Sequence, residues 1–252
     1  SRSSVRRILR AAGMRSPQPR SGSGRHRARR ERMPQAGMLL QVDGSRHQWL
    51  GPDGPWLTLL GAIDDATGDV PYAIFREQED AQGYLLLLRQ VVRRRGVPLS
   101  LYSDRHKIFQ SRSDEPLTLT EQLAGGRLLT QVGRVLKELG VTWIGARSPQ
   151  AKGRIERLWR TLQDRLYHEL RLANISTLEQ ANAALPALLA RHNSRFRQAP
   201  ATAGSAYHRL PAGKRPADVF CFRYWRTISP DNVVTLEGRT IPVPAGPQRR
   251  SY

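Results

Sequence analysis

"MLLQVDGSRHQWL", Met38–Leu50, starts as a nearly unbroken apolar run and ends that run on an acid, Asp43, followed by Gly44 and Ser45. A short apolar run bounded by turn formers reads as a buried strand. Two more follow, "PWLTLLGAID" and "VPYAIF", with Gly, Pro and Asp between them, so three strands with tight connections are expected. "EDAQGYLLLLRQVVRRRG" then places Tyr84, Leu87, Leu88, Val91 and Val92 at helical spacing and closes on Gly96, a helix with its stop signal. "LSLYSD" is a fourth strand ending on Asp104, "RLLTQVGRVLKELG" a helix and "VTWIGA" a fifth strand.

Further along, "KGRIERLWRTLQDRLYHELRLA" carries Ile155, Leu158, Trp159, Leu162, Leu166 and Leu170 on one stripe, which predicts a long amphipathic helix from about Ala151. "STLEQANAALPALLARHNSRF" predicts another, capped by Ser176 with Glu179 completing a capping box and Pro186 as a kink. "RYWRTISPDNVVTLEGRTIPVP" alternates as a small antiparallel β module would. The fold class expected is α/β, with boundaries at 1–14 (a short basic helix), 15–37 (a basic linker), 38–197 (the core), 198–219 (a linker) and 220–252 (the start of a β module).

Lys and Arg number 41 against 21 Asp and Glu, a net charge of +20 that calls for a polyanionic partner, nucleic acid first. Eleven arginines and one glutamate fall in residues 1–35, so half of the excess sits in the first stretch. No apolar run approaches the roughly 20 residues that span a bilayer, and no signal peptide opens the chain, so no membrane role and a cytosolic, nucleoid setting are expected. The single Cys221 excludes an internal disulfide and a cysteine zinc cluster, and reads as packing. The chain opens on Ser and ends on "QRRSY", which reads as a piece of a longer protein.

Asp43 and Asp104 close strand runs, and Glu156 lies in the first turns of the long helix. If the first and fourth strands are neighbours, the two aspartates meet and the helix brings Glu156 over them. Carboxylates this close repel unless a cation holds them, and hard oxygen donors suit Mg²⁺ or Mn²⁺. Each acid alone is more often an ordinary solvated or capping residue; the reading rests on the set. Asp64, Asp65 and Asp69 in "IDDATGD" and Asp53 in "GPDG" read as turn residues. His47 and His106 make no His-x-x-x-His pair and so no zinc site, although His106, directly after Ser-Asp-Arg, is a possible auxiliary group that could orient a phosphate or water.

"LLQVDGSRHQWL", "LYSDRHKIF" and "SPQAKGRIERLWRTLQDRL" together resemble the DDE transposase and retroviral-type integrase superfamily, most closely bacterial insertion-sequence transposases of the ISNCY group. The resemblance implies an RNase H-like catalytic core, a catalytic and metal-binding triad of Asp43, Asp104 and Glu156, and Mg²⁺ or Mn²⁺ as cofactor. It further implies cleavage and strand transfer of transposon ends, acting on double-stranded DNA as a homo-multimer. By the same likeness "SRSSVRRILRAAGM" is the last helix of a helix-turn-helix domain, with Arg2, Arg6, Arg7 and Arg10 on a recognition helix. The stretch between Asp104 and Glu156 is longer than in retroviral enzymes, as in the ISNCY group. Helical spacing puts Lys152, Glu156 and Arg160 on one face, so Lys152 and Arg160 would hold phosphates while Ser148 and Gln150 hydrogen-bond DNA. Arg154 and Arg157 point to other faces and read as solvated. Two rivals are a nuclease of the same fold without strand transfer and a DNA-binding protein that has lost catalysis; three intact acids speak against the second.

Overall fold

The computed structural model describes residues 2–14, 30–104, 106–110, 121–122, 126, 128–146 and 153–244. The chain divides into two compact units, Ser1–Glu31 and Arg32–Tyr252. In the first, α1 (Arg2–Ala11) is the expected short basic helix, ended by Gly13 at φ +68°. That left-handed backbone is one only glycine adopts readily.

The second unit is built on a five-stranded sheet of order β3-β2-β1-β4-β5, formed by Leu40–His47 (β1), Leu57–Asp64 (β2), Tyr72–Arg76 (β3), Ser100–Ser103 (β4) and Thr142–Gly145 (β5). The first three strands are antiparallel, whereas β4 and β5 run parallel to β1. This mixed sheet with helices on both faces is the RNase H-like core expected from the sequence. Strand alternation assigns the faces. Leu40, Val42, Leu60 and Ala62 pack with α2 (Ala81–Arg95) and α3 (Gln131–Leu139). Leu57, Leu59 and Ile63 pack instead with α4 (Gly153–Leu172) and α5 (Leu178–Phe196). Every residue of β2 is buried, as a strand covered on both faces must be.

Caps end the helices where the sequence offers them. Asp80 accepts from the Gly83 N–H to open α2, and Thr130 does the same for Gly133 at α3. The capping box of α5 sits one residue later than expected, at Thr177 and Gln180, because the Gln180 amide oxygen accepts from the N–H groups of both Ser176 and Thr177. Pro186 lies within α5, which continues past it. One further difference concerns β1. Its ladder with β2 carries on from Asp43 to His47, so Asp43 stands in mid-strand although it ends the apolar run.

Residues 198–219 lie along the core: Val97 and His208 exchange backbone hydrogen bonds, the Tyr207 hydroxyl donates to Asp64, and Val219 in α6 (Pro216–Val219) is buried. Beyond them β6 (Val233–Leu236) and β7 (Arg239–Pro242) form a hairpin, the part of the expected β module that is formed among the described residues. Its turn residues Glu237 and Gly238 both have positive φ, as a two-residue hairpin turn requires.

Gly61 of β2 pairs with Asp43, and a Cβ added there would stand 2.7 Å from Trp159 Cη2 of α4. Gly61→Ala is therefore expected to destabilise the protein by about 1–3 kcal/mol, read as a lower urea midpoint.

Candidate active site

The register of β1 on β4 pairs Leu40 with Leu101 and Gln41 with Tyr102. The same offset sets Asp43 level with Asp104, two residues beyond the last pair. Asp43 alternates with Gln41 and Ser45 on the face covered by α4. There the Trp159 indole N–H donates to Asp43 Oδ2 at 3.1 Å, and Gln163 Nε2 donates to Ser45 Oγ at 3.0 Å. Ser45 is fixed from its other side, since its carbonyl accepts from the buried Trp49 indole at 3.1 Å.

Asp104 follows β4 directly. Its carboxylate accepts from the backbone N–H of His106 at 3.2 Å, an Asx-type turn that starts the chain away from the sheet. Ser103 is buried and accepts from the Trp143 indole of β5 at 2.9 Å, while its hydroxyl donates to the Asp104 carbonyl at 2.8 Å. The His106 ring is exposed and accepts from the Ile108 N–H.

Glu156 is exposed in the first turn of α4. Trp159 and Gln163 lie three and seven residues further on, so Glu156 belongs to the helical side that meets β1. Among the described residues, however, no three of His, Cys, Asp and Glu gather as a metal cluster. The structure thus levels Asp43 with Asp104 and does not bring Glu156 into a formed cluster with them. Ser148, Gln150 and Lys152 lie outside the described residues, as do the side chains of Arg2 and Arg6. Arg7, Arg10 and Arg160 are exposed.

Two readings of the sequence are corrected. Arg154 is not solvated: its Nε donates to the fully buried carboxylate of Asp65 at 2.6 Å, with the Arg154 side chain 15% exposed. Nor are the "IDDATGD" acids turn residues alone. Asp64 does serve its turn, accepting from the Thr67 N–H and hydroxyl, but it also accepts from the Gly37 N–H and Tyr207 hydroxyl. Asp65 and Asp69 bind Arg154 and Arg95 from distant helices.

A fourth acid at this place escaped the sequence reading. Glu79, between β3 and the Asp80 cap, accepts from the Tyr84 hydroxyl at 2.5 Å, and its Oε2 lies 2.7 Å from where a Cβ on Gly44 would stand. Gly44 leaves room for that carboxyl beside Asp43. Burial pushes the Glu79 carboxyl above its ordinary 4.5; the Tyr84 hydrogen bond opposes this, and the charges of Asp43 and Asp104 add to it. Burial also pushes the Tyr84 hydroxyl well up, so it stays a donor. A hint was available in the sequence: Glu79 and Tyr84 flank the start of a helix whose apolar stripe includes Tyr84.

Comparison with known proteins gives two transposases. The protein y4bF of Sinorhizobium fredii, described by name as a transposase, is 37% identical over 206 residues, covering 81% of this chain and 44% of its own length. The transposase for insertion sequence IS1202 of Streptococcus pneumoniae is 37% identical over 167 residues, covering 66% of this chain and 34% of its own. The chain is thus similar to known transposases over most of its own length. It spans less than half the length of these curated relatives. No family model matches. Solved structures similar to this chain include the simian T-cell lymphotropic virus intasome bound to the PP2A regulatory subunit B56 gamma, at TM-score 0.47 and 15% identity, over 85% of this chain and 73% of that one. The HTLV-2 integrase catalytic core domain in complex with magnesium gives TM-score 0.42 and 14% identity, over 58% of this chain and 80% of that one.

Because the folded state raises the Glu79 pKa, it binds more protons there than the unfolded chain. The stability contributed by Glu79 is thus fully present below 4.5 and is lost as pH rises through the folded pKa. Glu79→Gln removes the charge and keeps an acceptor for Tyr84. Without divalent metal it is expected to be more stable than the parent at roughly pH 7, with the gap closing at roughly pH 4, as urea midpoints will show.

Proposed function

We propose that this chain is the catalytic part of an insertion-sequence transposase of the ISNCY type, which cleaves transposon ends and joins them to target DNA. The observation that carries this reading is the β1–β4 register, which levels Asp43 with Asp104. The donor set fits a hard divalent cation. It consists of carboxylates, and the push of Asp43 and Asp104 on Glu79 marks a place of concentrated negative charge.

Asp43, Asp104 and Glu156 would hold Mg²⁺ or Mn²⁺, which when bound supplies Lewis-acid polarisation of a phosphodiester and a lowered pKa for an attacking water or 3′-hydroxyl. The chain's own groups do the rest. Trp159 holds the Asp43 carboxylate by its indole N–H, and the His106 backbone N–H orients Asp104. Arg160, exposed one turn beyond Glu156, holds a DNA phosphate together with Lys152, while Ser148 and Gln150 hydrogen-bond the DNA backbone or a base edge. The α1 arginines, Arg2, Arg6, Arg7 and Arg10, contact the element's ends as part of a helix-turn-helix domain. The net charge of +20 supports a duplex DNA partner. Two ends and one target make a homo-multimer on DNA the working assembly. The described residues contain no helix long and apolar enough to cross a membrane, and the proposed place of action is the bacterial nucleoid.

Asp104→Asn is expected to bind terminal-repeat DNA with unchanged affinity while cleavage and joining fall by about two orders of magnitude or more. The measurement is filter binding beside a gel assay containing terminal-repeat DNA, target plasmid and Mg²⁺. Unimpaired chemistry in the variant would sink the site, and products that are cut but never joined would make the protein a nuclease.

A further inference from the structure

Asp65 immediately follows β2 and is fully buried, yet it lies far in sequence from the groups it binds. Its Oδ1 accepts from Gln41 Nε2 of β1 at 2.8 Å and from Arg154 Nε of α4 at 2.6 Å. Its Oδ2 accepts from the Met33 N–H at 2.8 Å, and its own N–H donates to the Leu39 carbonyl at 3.0 Å. Arg32 stands alongside, donating to the Asp65 carbonyl at 3.0 Å; burial and the nearby Arg154 hold its pKa down. One carboxylate oxygen is thus shared by Gln41, two residues before Asp43, and Arg154, two residues before Glu156.

A buried ion pair is a poor device for stability alone, because apolar residues of the same size often serve as well or better. What it supplies is direction. The first turns of α4 are also buried through Ile155, Leu158 and Trp159, whose apolar packing is non-directional, while the Trp159 and Gln163 hydrogen bonds to β1 lie further along the helix than Arg154. A guanidinium nitrogen held at 2.6 Å by a carboxylate that also holds β1 fixes where the helix starts and how it is rotated.

We propose that Asp65 is a positioning residue for the active site: it ties Gln41 to Arg154 and thereby sets Glu156 relative to Asp43. This inference rests on the reading of Asp43 and Glu156 as metal-binding residues. Asp65 reaches no substrate and acts through the two elements it joins.

The experiment uses the full chain without DNA, titrated with Mn²⁺ while the electron paramagnetic resonance signal of the free ion is followed, with thermal melting recorded on each variant. Arg154→Ala is expected to weaken Mn²⁺ binding about ten-fold, the loss typical when a partner behind a metal ligand is removed. Arg95→Ala breaks the comparable pair with Asp69, whose side chain is 7% exposed, away from the site. That control is expected to lower the melting temperature and leave Mn²⁺ affinity unchanged. Should Arg154→Ala fail to fold, Asp65→Asn keeps a neutral acceptor and is expected to weaken Mn²⁺ binding by a smaller factor. Wild-type Mn²⁺ affinity in Arg154→Ala, or in Asp65→Asn where that variant stands in, would overturn the proposal, as would a loss no greater than that of Arg95→Ala. Glu156→Gln separates the two levels: if it loses Mn²⁺ affinity while Arg154→Ala does not, the positioning role fails and the site stands, whereas unchanged affinity in Glu156→Gln overturns the site itself.

Discussion

The parallel pairing of β1 with β4 is the constraint on which the rest of the core depends. Side chains alternate along a strand with period two, so a slip of one residue in that pairing would turn one aspartate away from the other. The register is held because Leu40 and Val42 are buried against α2 and α3, while Gln41, on the opposite face, is buried and bonded to Asp65. Apolar burial specifies one face and a directional polar contact specifies the other. With both satisfied, Asp43 and Asp104 stand at one level, where their mutual repulsion favours a cation.

The long helix is the second half of the arrangement. Its stripe from Ile155 to Leu170 supplies burial, and its polar contacts supply position: Arg154 to Asp65, Trp159 to Asp43, Gln163 to Ser45. These three fall within the first three turns, next to Glu156. Further down the helix, the exposed pair of Glu169 with Arg191 of α5 contributes little, as exposed pairs do. Directional contacts are concentrated where the proposed chemistry needs a defined geometry, and the remainder of the helix is held by apolar area.

Much of this was legible in the sequence because it depends on local periodicity. The stripes of α2 and α4, the stop signal Gly96, and the five strand runs all follow from residues within a few positions of one another. Asp43 and Asp104 stood out because each closes an apolar run. Asp65 and Glu79 did not, for a physical reason: each sits among turn or cap residues that explain an acid locally, and the groups that give them another role lie elsewhere in space. Arg154 is 89 positions from Asp65, and Gly44, whose missing side chain makes room for Glu79, lies on a different strand. The one-residue shift of the α5 cap has a similar origin, since Ser176 and Thr177 are chemically alike and only the reach of Gln180 distinguishes them.

The proposed site has Asp43 and Asp104 sharing one divalent cation. Crystals grown with Mn²⁺ and measured at the manganese absorption edge test it most directly. An anomalous peak bonded to carboxylate oxygens of both residues is expected, at oxygen–metal distances of about 2.0–2.6 Å. A peak bonded to neither aspartate, or the two carboxylates turned away from each other in the manganese-loaded protein, would contradict it.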